Sequence, residues 1–304
     1  SLRGPQHSHA WCDEIAKWDN ASDRALSAWD NLLLGMRLGN HPRILATTTP
    51  RAVPLMRRLL AEAPEDLVVT RGKTEENTQN LPSRFLRDVR RSFGRSALGR
   101  QELDGELIED IPGALWTRAM IEACREAGEA SAAPHRVVVA VDPPASSRGD
   151  ACGIVVATLG SDGIARVVHD GSLLKPSPER WARKVASLAQ GWNADRVIAE
   201  ANQGGDMVAS VLRATGHELP LKLVHASRGK AARAEPVAAL YEAGRVRHAG
   251  IFPELEDELC GLIAGGGYEG PGRSPDRADA LVYALHELML GPAAEPRVRV
   301  LDPH

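Results

Sequence analysis

Between Arg136 and Asp142 the chain runs through four valines, Val137, Val138, Val139 and Val141, and stops on a carboxylate followed by Pro143 and Pro144. A β-branched run closed by turn formers predicts a strand. A strict order follows. Gly153 to Leu159 and Ile164 to Asp170 read as second and third strands, separated by Ser161-Asp162-Gly163, a hairpin turn signal. Pro178 to Gln190 is an amphipathic helix with Ser177 as its cap. Then come a strand from Arg196 to Glu200, a helix from Asp206 to Thr215 and a strand from Leu221 to Val224. Helices are expected at about 230–243, 253–263 and 276–290. Three antiparallel strands, then alternating helices and strands, then terminal helices, is the order of an RNase H-like α/β domain.

The 304 residues leave room for a second domain. The composition shifts between Ala119 and Pro134, a polar Ala/Glu-rich helix and then a loop. The expected division is a first part over 1–115, a linker over 116–133, the α/β domain over 134–291 and a tail over 292–304. In the first part Ala10-Trp11-Cys12 is a short apolar run, and a helix is expected over about 22–38. Ile44-Leu45-Ala46 leads into Thr47-Thr48-Thr49-Pro50. A helix over 52–63, a strand from Leu67 to Thr70 and helices over 82–93 and 96–107 follow.

Hydrophobic residues at 43% and charged residues at 25% exclude a disordered tail, a collagen or a small disulfide scaffold. No apolar run reaches the roughly 18 residues of a membrane span, and the first residues carry no apolar signal core. No membrane partner is expected, and a cytoplasmic location is. The chain starts at Ser1 rather than Met and reads as a fragment. Cys12, Cys124, Cys152 and Cys260 form no CxxC pair, so neither zinc nor a disulfide framework is indicated. The net charge of −3 gives no argument for a nucleic-acid partner. Arginine outnumbers lysine 31 to 6. Arginine is the better bidentate phosphate ligand, although a GC-rich coding sequence produces the same skew.

The chemistry lies in the carboxylates at element ends. Asp142 closes the first strand, Glu200 closes the fourth, and Asp276 and Asp279 open the last helix just past Ser274-Pro275. Groups at the carboxyl ends of adjacent strands in an open α/β sheet converge on one crevice. Carboxylates gathered there repel one another unless a cation neutralises them. Magnesium or manganese, hard ions that take oxygen ligands, do so. Two ions about 4 Å apart suit in-line displacement at a phosphodiester. Each position has a plainer reading alone: an Asp after a strand is a turn residue, and an Asp at a helix start is a cap. The ordered set favours a site. Asp150 is a further candidate, or a loop residue.

Asp13-Glu14, after its apolar run, has the form of a Walker B element, in which Asp supports magnesium and Glu orients a water. Gly72-Lys73-Thr74 is not a P-loop, because Leu67 stands where the first glycine is required. This chain alone is therefore not expected to hydrolyse ATP. Arg228, Lys230 and Arg233 lie between the fifth strand and the next helix and suit either a phosphate contact or a solvated helix start. Asn202-Gln203-Gly204-Gly205 permits a tight turn with exposed amides or a plain strand-to-helix turn. Arg84, Arg87 and Arg91 share a helix face that suits DNA or solvent.

Several stretches in order resemble one family. They are Leu2-Arg3-Gly4-Pro5, Trp11-Cys12-Asp13-Glu14-Ile15-Ala16-Lys17-Trp18, Thr47-Thr48-Thr49-Pro50, Gly99-Arg100-Gln101-Glu102-Leu103-Asp104-Gly105-Glu106 and Pro112-Gly113-Ala114-Leu115-Trp116. Val141-Asp142-Pro143, Ala199-Glu200-Ala201-Asn202-Gln203-Gly204-Gly205-Asp206 and Ser274-Pro275-Asp276-Arg277-Ala278-Asp279-Ala280-Leu281 complete the set. The chain resembles the large terminase subunit of tailed phages and gene transfer agents, a DNA-packaging ATPase and nuclease, without its N-terminal Walker A part.

The resemblance implies a C-terminal RNase H-like nuclease domain preceded by a truncated P-loop (RecA-like) ATPase portion. It implies Asp142, Glu200 and Asp276 as catalytic metal ligands, with Asp279 a further ligand, for two Mg2+ or Mn2+ ions. It implies Lys230, Arg233 and Arg228 at DNA. Asp13 and Glu14, with Thr47, Thr48 and Thr49 as a coupling motif, are its ATPase remnant, ATP being a cofactor of the full-length family only. The implied activity is an endodeoxyribonuclease cutting double-stranded DNA during genome packaging. Its partners are the small terminase subunit and the portal protein, in the host cytoplasm and transiently at the procapsid. The alternatives are a non-catalytic terminase relic that binds DNA or packaging partners, and another RNase H-like nuclease such as a junction resolvase.

Overall fold

The computed structural model describes residues 4–19, 23–61, 67–93, 96–126, 134–144, 151–201, 205–225 and 229–291. The chain forms two compact units, Ser1–Asp110 and Ile111–His304.

In the first unit, β1 (His9–Cys12) and β2 (Arg43–Ala46) pair in parallel, with Cys12 opposite Ala46. Parallel pairing requires a crossover, and α1 (Arg24–Gly35) supplies it, burying Ala25, Trp29 and Leu32. Leu55 and Met56 of α2 (Pro54–Ala61) close that core. A 3-10 helix (Thr74–Asn80), α3 (Ser83–Phe93) and α4 (Ala97–Asp104) follow. Residues Leu67 to Thr70, expected as a strand, form none. No described strand pairs with them, and Val68 stays 82% exposed. The helix expected to reach 107 stops at Asp104, because Gly105 turns left-handed at φ 65° and its N–H bonds to the Arg100 carbonyl.

The second unit takes in residues 111–126, which the sequence assigns to the first part and the linker. Apolar burial explains the difference: Trp116 and, on α5 (Arg118–Ala123), Ile121 are fully buried in this unit's core. The sheet strands are β3 (Pro134–Asp142), β4 (Ala151–Gly160), β5 (Ala165–Asp170), β6 (Leu173–Leu174), β7 (Arg196–Glu200), β8 (Leu221–Val224) and β9 (Val246–His248). Their order is β8-β7-β3-β4-β5-β9, with β6 paired to β4. β3, β4 and β5 are antiparallel in succession, whereas β7 and β8 continue parallel to β3. The two-residue β6 and three-residue β9 lie below the length at which the sequence pattern speaks.

Alternate residues of β3 face opposite cores. Val137, Val139 and Val141 meet Trp181, Val185 and Leu188 of α6 (Pro178–Gly191) and Leu212 of α7 (Gly205–Arg213). Val138 and Ala140 meet Tyr283 and Ala284 of α10 (Asp276–Leu285). A sheet covered on both faces reads as a continuous apolar run, as the valines do. α8 (Lys230–Glu242) and α9 (Pro253–Cys260) complete the α10 side, and a π-helical turn, His286–Leu290, ends it.

A buried polar cluster ties the residues just after α5 to β9 and α9. Glu256, 1% exposed, receives both terminal nitrogens of Arg125 at 3.0 Å and the Phe252 amide at 3.1 Å, and lies 3.1 Å from His248 Nδ1. Burial raises its carboxyl, but His248 and Arg125 prevail and hold it down at about 2, against an ordinary 4.5. A depressed carboxyl stabilises the fold fully above its unfolded value and loses that contribution as pH falls towards the folded value. Unfolding followed by circular dichroism should therefore show on the order of 3 kcal/mol lost between about pH 4.5 and 2. Glu256→Gln should lack that step.

Candidate active site at the carboxyl end of the sheet

β3 and β7 are parallel neighbours with Val141 opposite Ala199, so Asp142 and Glu200 leave the sheet side by side at one end. Across the antiparallel pair, Asp142 lies opposite Gly153 of β4. A Cβ on Gly153 would stand 1.8 Å from the Asp276 carbonyl oxygen and 2.9 Å from the Arg277 nitrogen. The first turn of α10 thus rests on bare strand backbone, as glycine in a strand allows. That turn carries Asp276 and Asp279, three residues apart on one helix face.

The four carboxylates share one field. Asp142 is raised well above the usual carboxylate range, by burial first and then by Asp279, Glu200 and Asp276. Asp279, 2% exposed, is raised by burial, eased down by Lys230 and Arg233 and pushed up by Glu200. Lys230 Nζ donates to Asp279 Oδ2 and, at 2.8 Å, to Ser274 Oγ. Burial lowers the Lys230 ammonium, but Asp279, Asp142 and Asp276 outweigh it and hold the proton more tightly than usual. Arg233 Nη2 lies 3.6 Å from Asp279 Oδ1, and its guanidinium sits 5.0 Å over the Tyr283 ring.

Lys230 and Arg233, read from sequence as phosphate contacts, thus reach Asp279. Arg228, Asp150 and the turn residues 202–204 lie outside the described residues. In the first unit, Thr47 Oγ1 donates to Asp13 Oδ1 at 2.5 Å, and Thr48 Oγ1 accepts from the Ala16 amide at 3.1 Å. Glu14 takes a left-handed φ of 50° and lies 3.4 Å from Lys17 Nζ.

Sequence reasoning missed two residues of the site. Gly153 was hidden inside an apolar run. Tyr283 stands one helical turn beyond Asp279, spacing that places both on one face. Its hydroxyl is buried. Burial and the Glu200 carboxylate raise it above the ordinary phenol.

Among the described residues, no group of three or more His, Cys, Asp or Glu side chains is disposed to hold a metal ion as it stands. By chemistry the donor set fits a hard divalent cation: every donor is a carboxylate oxygen, and their repulsion raises Asp142.

Residues 139–288 match the family model described as the terminase RNaseH-like domain. No curated protein matches the chain. Among solved structures, the large terminase of bacteriophage HK97 is similar at 15% identity, over 94% of this chain and 71% of that one, with a TM-score of 0.46. The large terminase nuclease of thermophilic phage G20c is similar at 19% identity, over 50% and 82%, with a TM-score of 0.41. The same nuclease with bound magnesium gives 16% identity, 57% and 97% coverage and a TM-score of 0.43.

Because the atoms facing Gly153 are backbone, a methyl group there forces α10 off the sheet. Gly153→Ala should cost about 1–3 kcal/mol, as overpacking does, measured by thermal unfolding. A wild-type melting temperature would contradict the seat described here.

Proposed function

We propose a function from the premise that residues 139–288 belong to the terminase RNaseH-like domain family: this unit is a divalent-metal-dependent endodeoxyribonuclease that cuts double-stranded DNA during phage or gene-transfer-agent genome packaging. The supporting observation is the shared field at the end of β3, where Asp142 is part-buried and raised first by desolvation and then by three neighbouring carboxylates. Repulsion of that kind is a feature of cation sites more than of cores.

Asp142, Glu200 and Asp276 are assigned as catalytic metal ligands, and Asp279 as a further one. Two magnesium or manganese ions, when bound, supply an activated water and charge stabilisation of the leaving oxygen. The residues themselves bind and orient. Asp142 and Glu200 are fixed by adjacent strands, Asp276 and Asp279 by one helix turn. Lys230, Arg233 and Arg228 are assigned to phosphate contacts. For the first two the support is their place against Asp279, where Lys230 remains half-exposed.

The first unit is assigned as the later portion of a P-loop ATPase. Its support is the parallel β1–β2 pair with Asp13 and Thr47 joined at the carboxyl ends. Glu14, Thr48 and Thr49 complete that remnant, and ATP turnover is not expected from these residues alone. Double-stranded DNA, the small terminase subunit and the portal protein are the proposed partners, in the host cytoplasm and transiently at the procapsid. No described helix is long and apolar enough to cross a membrane.

One observation favours a relic that binds DNA without cutting it: Lys230 is already paired to Asp279. Nicking of supercoiled plasmid in magnesium or manganese separates the readings. The wild-type chain should nick and Asp142→Asn should not. Relieving the repulsion on Asp142 should leave the fold intact and up to about 1 kcal/mol more stable. Equal nicking by both would overturn the ligand assignment, and Mn2+ binding without nicking would establish the relic.

A further inference from the structure

Helix α10 starts without a cap of its own. Pro275 precedes it and offers no side-chain hydrogen bond. A helix start leaves four amide N–H groups without intrahelical partners. Two of them, from Arg277 and Ala278, donate to Glu258 Oε2 at 2.7 and 3.1 Å. Glu258 belongs to α9 and is 4% exposed. Its other oxygen lies 3.4 Å from Arg277 Nη1. Arg277 Nε in turn donates to Asp170 Oδ2 of β5 at 3.1 Å.

The residue between Asp276 and Ala278 is therefore held from two sides. Its backbone is bound by α9 and its side chain by β5, while Gly153 of β4 supports the turn from below. Burying two carboxylates and a guanidinium is a poor way to gain stability, because desolvation offsets the attraction. A well-packed apolar group would serve the core as well. What the cluster does provide is a fixed start for the helix that bears two of the four carboxylates of the site.

We infer that Glu258 is a positioning residue for a divalent cation: acting through the α10 amides, it sets where Asp276 and Asp279 present their carboxylates. This rests on the nuclease reading. Glu258 is not a ligand, since its oxygens are engaged by the helix start and Arg277.

The test uses the full chain, Mn2+ alone titrated by calorimetry, and thermal unfolding to establish folding. Glu258→Ala should stay folded and bind Mn2+ about 10–100-fold more weakly, the usual cost of losing a group that orients metal ligands. Half-maximal plasmid nicking should move to higher Mn2+ in parallel. Glu258→Gln keeps one carbonyl oxygen for the two amides and should recover most of the affinity. A folded Glu258→Ala chain with wild-type affinity would overturn the inference, as would a Gln variant no better than Ala. If the Ala variant does not fold, Asp170→Asn, which loosens the far anchor of Arg277, should weaken Mn2+ binding; unchanged affinity there would overturn the inference equally. Failure of the nuclease reading looks different: the wild-type chain itself would bind Mn2+ without nicking plasmid, or bind none, whatever residue stands at position 258.

Discussion

The contact between Gly153 and the first turn of α10 sets the geometry of the whole carboxylate cluster. Asp142 and Glu200 are placed by strand pairing alone, because adjacent parallel strands in register must end together. Asp276 and Asp279 come from residues more than a hundred positions away from Asp142. They join only if a helix start can approach the sheet more closely than a side chain permits. The strand residue opposite Asp142 has no side chain, and the helix carbonyl occupies the space. The cluster therefore depends on one hydrogen atom where every other residue type has carbon.

Much of this was legible in the sequence. The order of strands and helices in the second unit follows from β-branched runs and turn residues, and the structure places those elements within a few residues of expectation. Asp142 and Glu200 were readable because position at a strand end is a local property. Pairing across distance was not. Lys230 and Asp279 are 49 residues apart, and Arg277 and Asp170 are 107 apart. No pattern in either neighbourhood announces the other. Lys230 and Arg233 look like free cations in the sequence because their counter-charge lies on another helix. The failed strand at Leu67–Thr70 has the converse cause: the residues favour extension, but a strand exists only where a neighbour accepts its hydrogen bonds.

The same distinction governs the first unit. Its two described strands place Asp13 and Thr47 together because Cys12 and Ala46 are in register. The single parallel pair leaves Trp11 and Leu45, themselves opposite one another, 72% and 63% exposed. Parallel strands ordinarily lie inside a sheet covered on both faces. The exposed pair is the physical mark of a sheet with few strands, independent of any resemblance.

Charge is organised along α10 rather than over the composition. The amino end of a helix carries a partial positive charge and its carboxyl end a partial negative one. Asp276 and Asp279 lie at the favourable end, and Lys230 and Arg233 further offset Asp279. Just past the other end of α10, in the π-helical turn, Glu287 is met by Arg136 at 2.6 Å, Lys222 at 2.7 Å and Arg196 at 3.8 Å. Those three cations stand near the amino ends of β3, β8 and β7. One pole of the parallel strands is thus acidic, and the opposite pole is basic. Summed over the chain such poles cancel, which is why a net charge of −3 carries no information about a phosphate-bearing substrate. The local field is strongest where Asp142 is crowded by Asp279, Glu200 and Asp276, with Asp279 itself only 2% exposed.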